Sequence, residues 1–336
     1  MHQVLFRLPE FLPRVGGAPI YGYGVMLVIG FFVSMELAKF LARRCKLDPE
    51  TFANAALIAL VAGVVGARLS HVLENIGDYT RSDLSVGQNL WNAINLRSGG
   101  LTYYGGFLLA FAAVLGYGFY KRVPIRLGMD IIAPCLMIGL GFGRIGCYLN
   151  GCCYGAQTNV GWAVEFPYHS DAYVEQAQAG LIHVPPELLG RDGQARAVED
   201  IQADRTISPE HREHLLSLAA AQHALPVHPA ELYSTFTAWL IAALLVAYFT
   251  LPHAPGRVFA MMLILESISR FLLEMIRAEP VFTPFGKHLF GNMSYSMVLS
   301  IPLLLLGIGL WIVFGRMAKG DAVEPITLSA PVAVAT

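Results

Sequence analysis

The chain has 336 residues, 55% of them hydrophobic and 14% charged, with a formal net charge of −1. Soluble domains carry about a quarter charged residues, so this composition excludes an ordinary soluble domain, and the lack of a basic block argues against a nucleic-acid partner. Mean hydropathy is +0.53, and the apolar residues collect in stretches near the roughly 20 residues that cross a hydrocarbon core.

The N-terminal segment MHQVLFRLPEFLPRVGG holds two prolines, and no small-residue cleavage site follows a basic region. The first apolar span is therefore expected to remain in the mature protein. Hydropathy and breakers predict about seven helices, over 20–42, 52–74, 101–120, 129–150, 229–251, 258–276 and 291–314. Pro49, Pro124 and Pro229 stand at the starts of the second, fourth and fifth, and Pro252 and Pro255 separate the fifth from the sixth. The expected fold class is an all-α polytopic membrane protein with about seven transmembrane helices and an extracytoplasmic arm or head. Its parts run 1–19 (N-terminal segment), 20–150 (helices one to four), 151–228 (arm or head), 229–315 (helices five to seven) and 316–336 (tail).

Short loops on one side carry Arg43, Arg44, Lys46, Lys121, Arg122, Arg126, Arg257, Arg316 and Lys319. The other side carries Arg7, Arg14, Arg81, Arg97, Arg277 and Lys287. The positive-inside rule then places the N-terminus outside and the C-terminus in the cytoplasm. The connection 151–228, with ten acidic residues against four arginines and no lysine, falls outside. Ser170 is suited to cap a helix ending at Gly180, and Ser208-Pro209-Glu210 to start another over 211–224. This connection reads equally as a loosely ordered arm or as a small domain that receives a partner. The tail from 320 is expected to be disordered.

An ionisable residue inside a span costs several kcal/mol and marks a functional candidate. Glu36, Arg68, Arg144, Glu266 and Arg270 are such residues. At 1.5 Å per residue, Arg68, Arg144 and Arg270 lie about 25, 24 and 20 Å from the inner ends of their helices. All three fall in the outer half of a core about 30 Å thick. One such arginine is best read as snorkelling or packing against a carboxylate. Three at one depth favour a shared site for an anion, since the guanidinium fork matches a phosphate. Phospholipid headgroups of the outer leaflet place phosphate at that level. Glu266, Arg270, Glu274 and Arg277 follow one another at spacings of four, four and three, an alternating ladder that lowers the cost of each burial. On the fourth helix, Cys135, Gly139, Gly143 and Cys147 form a small-residue stripe, with Gly141 and Gly146 as further small positions. Asn150-Gly151 ends that helix.

Cys147, Cys152 and Cys153 have a spacing unlike standard zinc patterns. The ordinary reading is small buried thiols; a disulfide from Cys147 to Cys152 or Cys153 is a second, and a metal site that includes His71 or His228 a third.

GFGRIGCYLNGCCYG (141–155), YGYGVM (21–26), GARLSHVL (66–73), SGGLTYYGG (98–106), HPAELY (228–233), SRFLLEMIRAEP (269–280) and SYSMVLSIP (294–302) follow one another in the chain. Together they resemble the bacterial prolipoprotein diacylglyceryl transferases over about residues 18–315; the arm at 156–227 has no close match. The resemblance implies an enzyme of the bacterial cytoplasmic (inner) membrane. It would transfer the diacylglyceryl group of phosphatidylglycerol to the lipobox cysteine of a preprolipoprotein signal peptide, releasing glycerol-1-phosphate, with no cofactor and no metal. It also implies catalytic roles for Arg144 and Arg270, and substrate contacts for Tyr23, Arg68, Asn150, Gly155 and Glu274. Glu266 and His228 are added as substrate-binding candidates. Tyr104 stands where some members have histidine, so the general base is open among Tyr104, His71 and His228. Cys147, Cys152 and Glu266 also depart from the usual motif. Two alternatives stand beside this: a non-enzymatic lipid-binding or carrier protein, against which the lack of an inverted repeat counts, and a paralogue with altered chemistry.

Overall fold

The structure, a computed structural model, describes residues 4–7, 19–80, 85–95, 100, 102–190, 193–204, 206–277 and 293–317. Two short strands, β1 (Val4–Arg7) and β2 (Pro19–Tyr21), pair antiparallel, where no strand is expected from the sequence. The helices are α1 (Gly22–Arg44), α2 (Pro49–Glu74), α3 (Ile76–Tyr79), α4 (Val86–Ile94), α5 (Tyr103–Tyr120), α6 (Ile125–Asn150), α7 (Asp171–Gln178), α8 (Val198–Ala203), α9 (Pro209–Ala220), α10 (Ala230–Phe249), α11 (Arg257–Glu274) and α12 (Tyr295–Met317). The expected tail, from 318 on, and most of the N-terminal segment lie outside the described residues.

Local chemistry sets several boundaries. Asp48 caps α2, accepting from the amides of Glu50 and Thr51 at 3.1 and 3.2 Å, with Pro49 at the first helical position. Ser85 and Gln88 form a reciprocal capping box on α4. Ser170 and Ser208 cap α7 and α9 as their positions suggest. α9 stops at Ala220, four residues before its expected end.

Among the described residues, α1, α2, α6, α10 and most of α12 are long and apolar enough to cross a membrane. The protein is therefore an all-helical, multi-pass membrane protein in its coarse architecture. The other two expected spans are present as helices. α5 is apolar but shorter. α11 carries Glu266, Arg270 and Glu274 along its 18 residues, which depresses its hydropathy.

The chain divides into two compact units, whose borders cut through several helices. One comprises 34–135, 247–259 and 313–336. In it α2 and α5 touch at small residues: a Cβ on Gly66 would lie 2.5 Å from the Gly105 carbonyl oxygen and 2.7 Å from Leu109 Cβ. Buried Asp130 caps the start of α11, accepting from the Gly256 and Phe259 amides at 2.6 and 2.9 Å. Glu36 pairs with Lys39 one turn away at 3.0 Å.

The other unit comprises 1–33, 136–246 and 260–312. Here α6 is the central packing element. The close approaches fall at Gly141, where a Cβ would meet Trp239 Nε1 at 2.1 Å, and at Gly146, where it would meet Tyr23 Cδ2 at 2.9 Å. Gly143 has only an ordinary contact, with Leu27 at 3.9 Å. The tight approaches thus fall at two glycines outside the predicted stripe, which, five positions apart, face different neighbours. The Trp239 indole donates to the Ile138 carbonyl at 3.3 Å, and Thr235 Oγ1 donates to that of Gly141 at 3.2 Å.

In the same unit the 151–228 connection folds around its own core of Phe166, Tyr168, Tyr173, Leu188, Ile201, Leu215 and Val227. The described part of this connection is therefore folded around a core, a head, and not a loosely ordered arm. Gln176 and the Leu225 backbone exchange two hydrogen bonds, at 3.3 and 2.7 Å, tying α7 to the returning chain.

Candidate active site

Arg270 sits in the last quarter of α11 and is held on two sides. Glu274, one turn on, lies 3.5 Å from Arg270 Nε, and Arg270 Nη2 donates to Ser296 Oγ of α12 at 2.8 Å. The Glu274 side chain is fully buried and takes a second cation, Arg277 Nη1, at 3.4 Å. The predicted ladder is therefore real from Arg270 to Arg277, though the helix ends at Glu274.

Glu266 lies within electrostatic reach of both Arg270 and Arg144. The two arginines, from α11 and α6, thus act electrostatically on the same carboxylate. Arg144 also acts on Tyr23, whose ring lies against Gly146 and is 40% exposed. Tyr23 belongs to the first turn of α1, so three helices contribute to one polar cluster.

Asn150 is the last residue of α6, and Gly151 follows with φ +77°, a left-handed conformation that glycine adopts without strain. The reversal returns the Cys152 amide to the Cys147 carbonyl at 3.2 Å. Cys147, Cys152 and Cys153 bring their sulfurs within 4.8 Å of one another, and all three are free, half-buried thiols. Hydrogen bonds from Cys147 and Cys152, aided by Arg144 and Arg277, hold Cys153 well below the ordinary thiol range. Cys152, bonded to Cys147 and Cys153 in its protonated form, is held above it.

Gly155 is clamped between two chain segments. Its amide donates to the His228 carbonyl at 2.9 Å, and the next amide, of Ala156, donates to the Ile276 carbonyl at 2.8 Å. A Cβ there would lie 2.7 Å from His228 Cβ and 3.0 Å from the Ile276 oxygen. The head is thereby tied to the end of α11. His228 Nδ1 lies 3.2 Å from the Tyr233 hydroxyl, which accepts from the Trp162 indole at 2.6 Å. With its oxygen taking the indole N–H, that hydroxyl is free to donate to His228 Nδ1.

Arg68 and Tyr104 belong to the other unit. Arg68 is buried, and its Nε, Nη1 and Nη2 donate to the carbonyls of Ala93, Gly100 and Asn92 at 2.8, 3.0 and 2.6 Å. Tyr104 is exposed in the first turn of α5. His71 stands against Gly100, beside Asn75 and Tyr79.

Two residues escaped the sequence reading. Ser296 orients Arg270 from 26 positions away, a distance that no local spacing reveals. Glu231 is 1% exposed, among the described residues neither of its carboxylate oxygens has a side-chain hydrogen-bond partner, and it acts electrostatically with Cys153, Arg277 and Arg144. Its signal was available: a carboxylate in the first turn of an otherwise apolar helix.

The model of the prolipoprotein diacylglyceryl transferase family matches residues 10–313. Relatives named phosphatidylglycerol–prolipoprotein diacylglyceryl transferase align along most of the chain. That of Corynebacterium efficiens is 27% identical over 93% of this chain and 82% of its own. That of Clostridium tetani is 23% identical over 92% and 96%. The protein of that name from Rhodopirellula baltica is 37% identical over 53% of this chain, and this chain spans only about a third of its length (35%). With the family's model matched over residues 10–313, nearly the whole chain, the chain belongs to the prolipoprotein diacylglyceryl transferase family.

Proposed function

We propose that the protein transfers the diacylglyceryl group of phosphatidylglycerol to the lipobox cysteine of a preprolipoprotein, the first step of lipoprotein maturation. The observation that carries this reading is that Arg144 and Arg270 both act electrostatically on Glu266, with Arg270 oriented by Glu274 and Ser296. In the reaction the substrate thiolate attacks the glycerol carbon, a C–S bond forms, and the C–O bond to phosphate breaks. The electron pair leaves on glycerol-1-phosphate. Charge grows on the departing phosphate, and two preset guanidiniums stabilise it without reorganising. The nucleophile belongs to the substrate, so the protein's own cysteines take no part.

Tyr23, Asn150, Gly155, Glu266, Glu274 and His228 then shape the binding region around the headgroup and peptide. Arg68, which holds the carbonyls of Asn92, Ala93 and Gly100, and Tyr104, a candidate for the phosphate or the thiol proton, are the further residues that the family resemblance implies. The reading places the protein in the bacterial cytoplasmic membrane with seven spans, the N-terminus and the 151–228 head outside, and the C-terminus in the cytoplasm. Its basis is the distribution of basic residues and the depth of the arginines.

The test is direct. Membranes containing the protein receive phosphatidylglycerol and a lipobox peptide, and the peptide is weighed by mass spectrometry. A diacylglyceryl adduct on the cysteine is expected. Lipid binding without adduct, where a control transferase forms it, rejects the proposal.

A further inference from the structure

We propose that Cys147, Cys152 and Cys153 form a three-thiolate site for a thiophilic d10 cation, Cu+ or Zn2+. This goes beyond the transfer reaction, which needs no thiol of the protein.

The three sulfurs already lie within 4.8 Å of one another. Metal–sulfur bonds of about 2.3 Å place the sulfurs of a three-coordinate ion about 4 Å apart. Closing the trio on an ion therefore takes movements of less than about 1 Å. Such movements are side-chain rotations, because the backbone is in place. Cys147 stands on the last turn of α6, Gly151 turns the chain with φ +77°, and Cys153 itself sits at φ +66°. A non-glycine residue in that conformation is uncommon. Here it brings the third thiol back to the first. The backbone bond from Cys152 N to Cys147 O, 3.2 Å, locks the reversal.

The surroundings fit the charge. Three thiolates around a monovalent or divalent cation retain net negative charge. Arg144, one turn before Cys147, and Arg277 both act on Cys153. Half-burial gives an ion a way in and leaves room for a water or substrate in a fourth position. All-thiolate donors select soft cations over Mg2+ or Ca2+. Adjacent Cys152 and Cys153 are poorly placed to bridge each other.

The full-length protein in detergent, reduced and stripped of metal, is titrated with Cu+ and with Zn2+ against chromophoric chelators. We expect one equivalent of at least one ion to bind. Cys147→Ser, Cys152→Ser and Cys153→Ser should each weaken binding at least about 100-fold, at or beyond the top of the 10–100-fold cost of losing a group that only supports a ligand. A Cys45→Ser/Cys135→Ser double variant should keep it. X-ray absorption on the loaded native protein, independent of any variant's folding, should count three sulfurs at about 2.3 Å. Failure of both ions to bind, binding that survives any one of the three serines, or fewer than three sulfurs overturns the proposal.

Discussion

Glu274 Oε2 lies 3.5 Å from Arg270 Nε, one helical turn away, and its side chain has no exposure to solvent. A buried carboxylate shared with Arg277 cannot swing aside, so it fixes the plane of the Arg270 guanidinium while Ser296 fixes its tip. Glu274 is thus a positioning residue. Glu274→Gln keeps the volume and removes the charge that holds the fork. We expect kcat for diacylglyceryl transfer to fall about 10²-fold, the cost of a misplaced group, with little change in KM for phosphatidylglycerol. An unchanged kcat, or a loss confined to KM, contradicts the assignment.

Arg144 faces the reaction more directly. Losing one donor aimed at developing charge costs about 10²–10³ in turnover. Arg144→Ala should lose at least that much, and Arg144→Lys should recover only part, because lysine keeps the charge without the planar fork. Initial rates of peptide lipidation, with circular dichroism as the check on folding, test both. Equal rates for Lys and Arg would show that charge alone suffices.

The parts of this site that were legible in the sequence are those held by short-range chemistry. The i, i+4 pair of Arg270 and Glu274 follows from helical spacing, and the start of α7 from the Ser170 cap. The parts that were hidden depend on residues far apart in the chain. Arg68 looked like a third phosphate ligand from its depth, yet its guanidinium meets carbonyls 24 to 32 positions downstream. The cysteine trio was hidden differently: its spacing is local, but its geometry needs the positive φ at Gly151 and Cys153, and no residue preference announces that at a cysteine. The folded head was legible only in its caps, since its core draws on aromatic and aliphatic residues scattered over sixty positions.

Gly155→Ala tests the tie between the head and α11. The added methyl meets His228 Cβ at 2.7 Å and the Ile276 oxygen at 3.0 Å, and both neighbours are backbone or backbone-proximal. Neither yields cheaply. Overpacking of this kind costs about 1–3 kcal/mol. The thermal unfolding midpoint in detergent should drop accordingly, and proteolysis within 156–228 should speed up. A midpoint equal to that of the parent would mean that the segments part freely.

The head also carries a defined acid sensitivity. The Thr206 hydroxyl and amide, joined by Arg196 at 2.9 Å, hold the Asp204 carboxyl down to about 2. An unfolded aspartate titrates at about 3.9. Because the folded value is the lower one, the contribution is fully present above the unfolded value and is lost as pH falls through the folded one, between about 4 and about 2. The thermal unfolding midpoint of the head, followed by near-UV circular dichroism of the full chain at tyrosines such as Tyr168 and Tyr173, should fall modestly across that window, since an exposed pair contributes little. Asp204→Asn should flatten the part of the transition that Asp204 causes, and raised salt should weaken it, since the pair is partly open to solvent and screened. An acid transition identical in parent and Asp204→Asn would place the sensitivity elsewhere in the head.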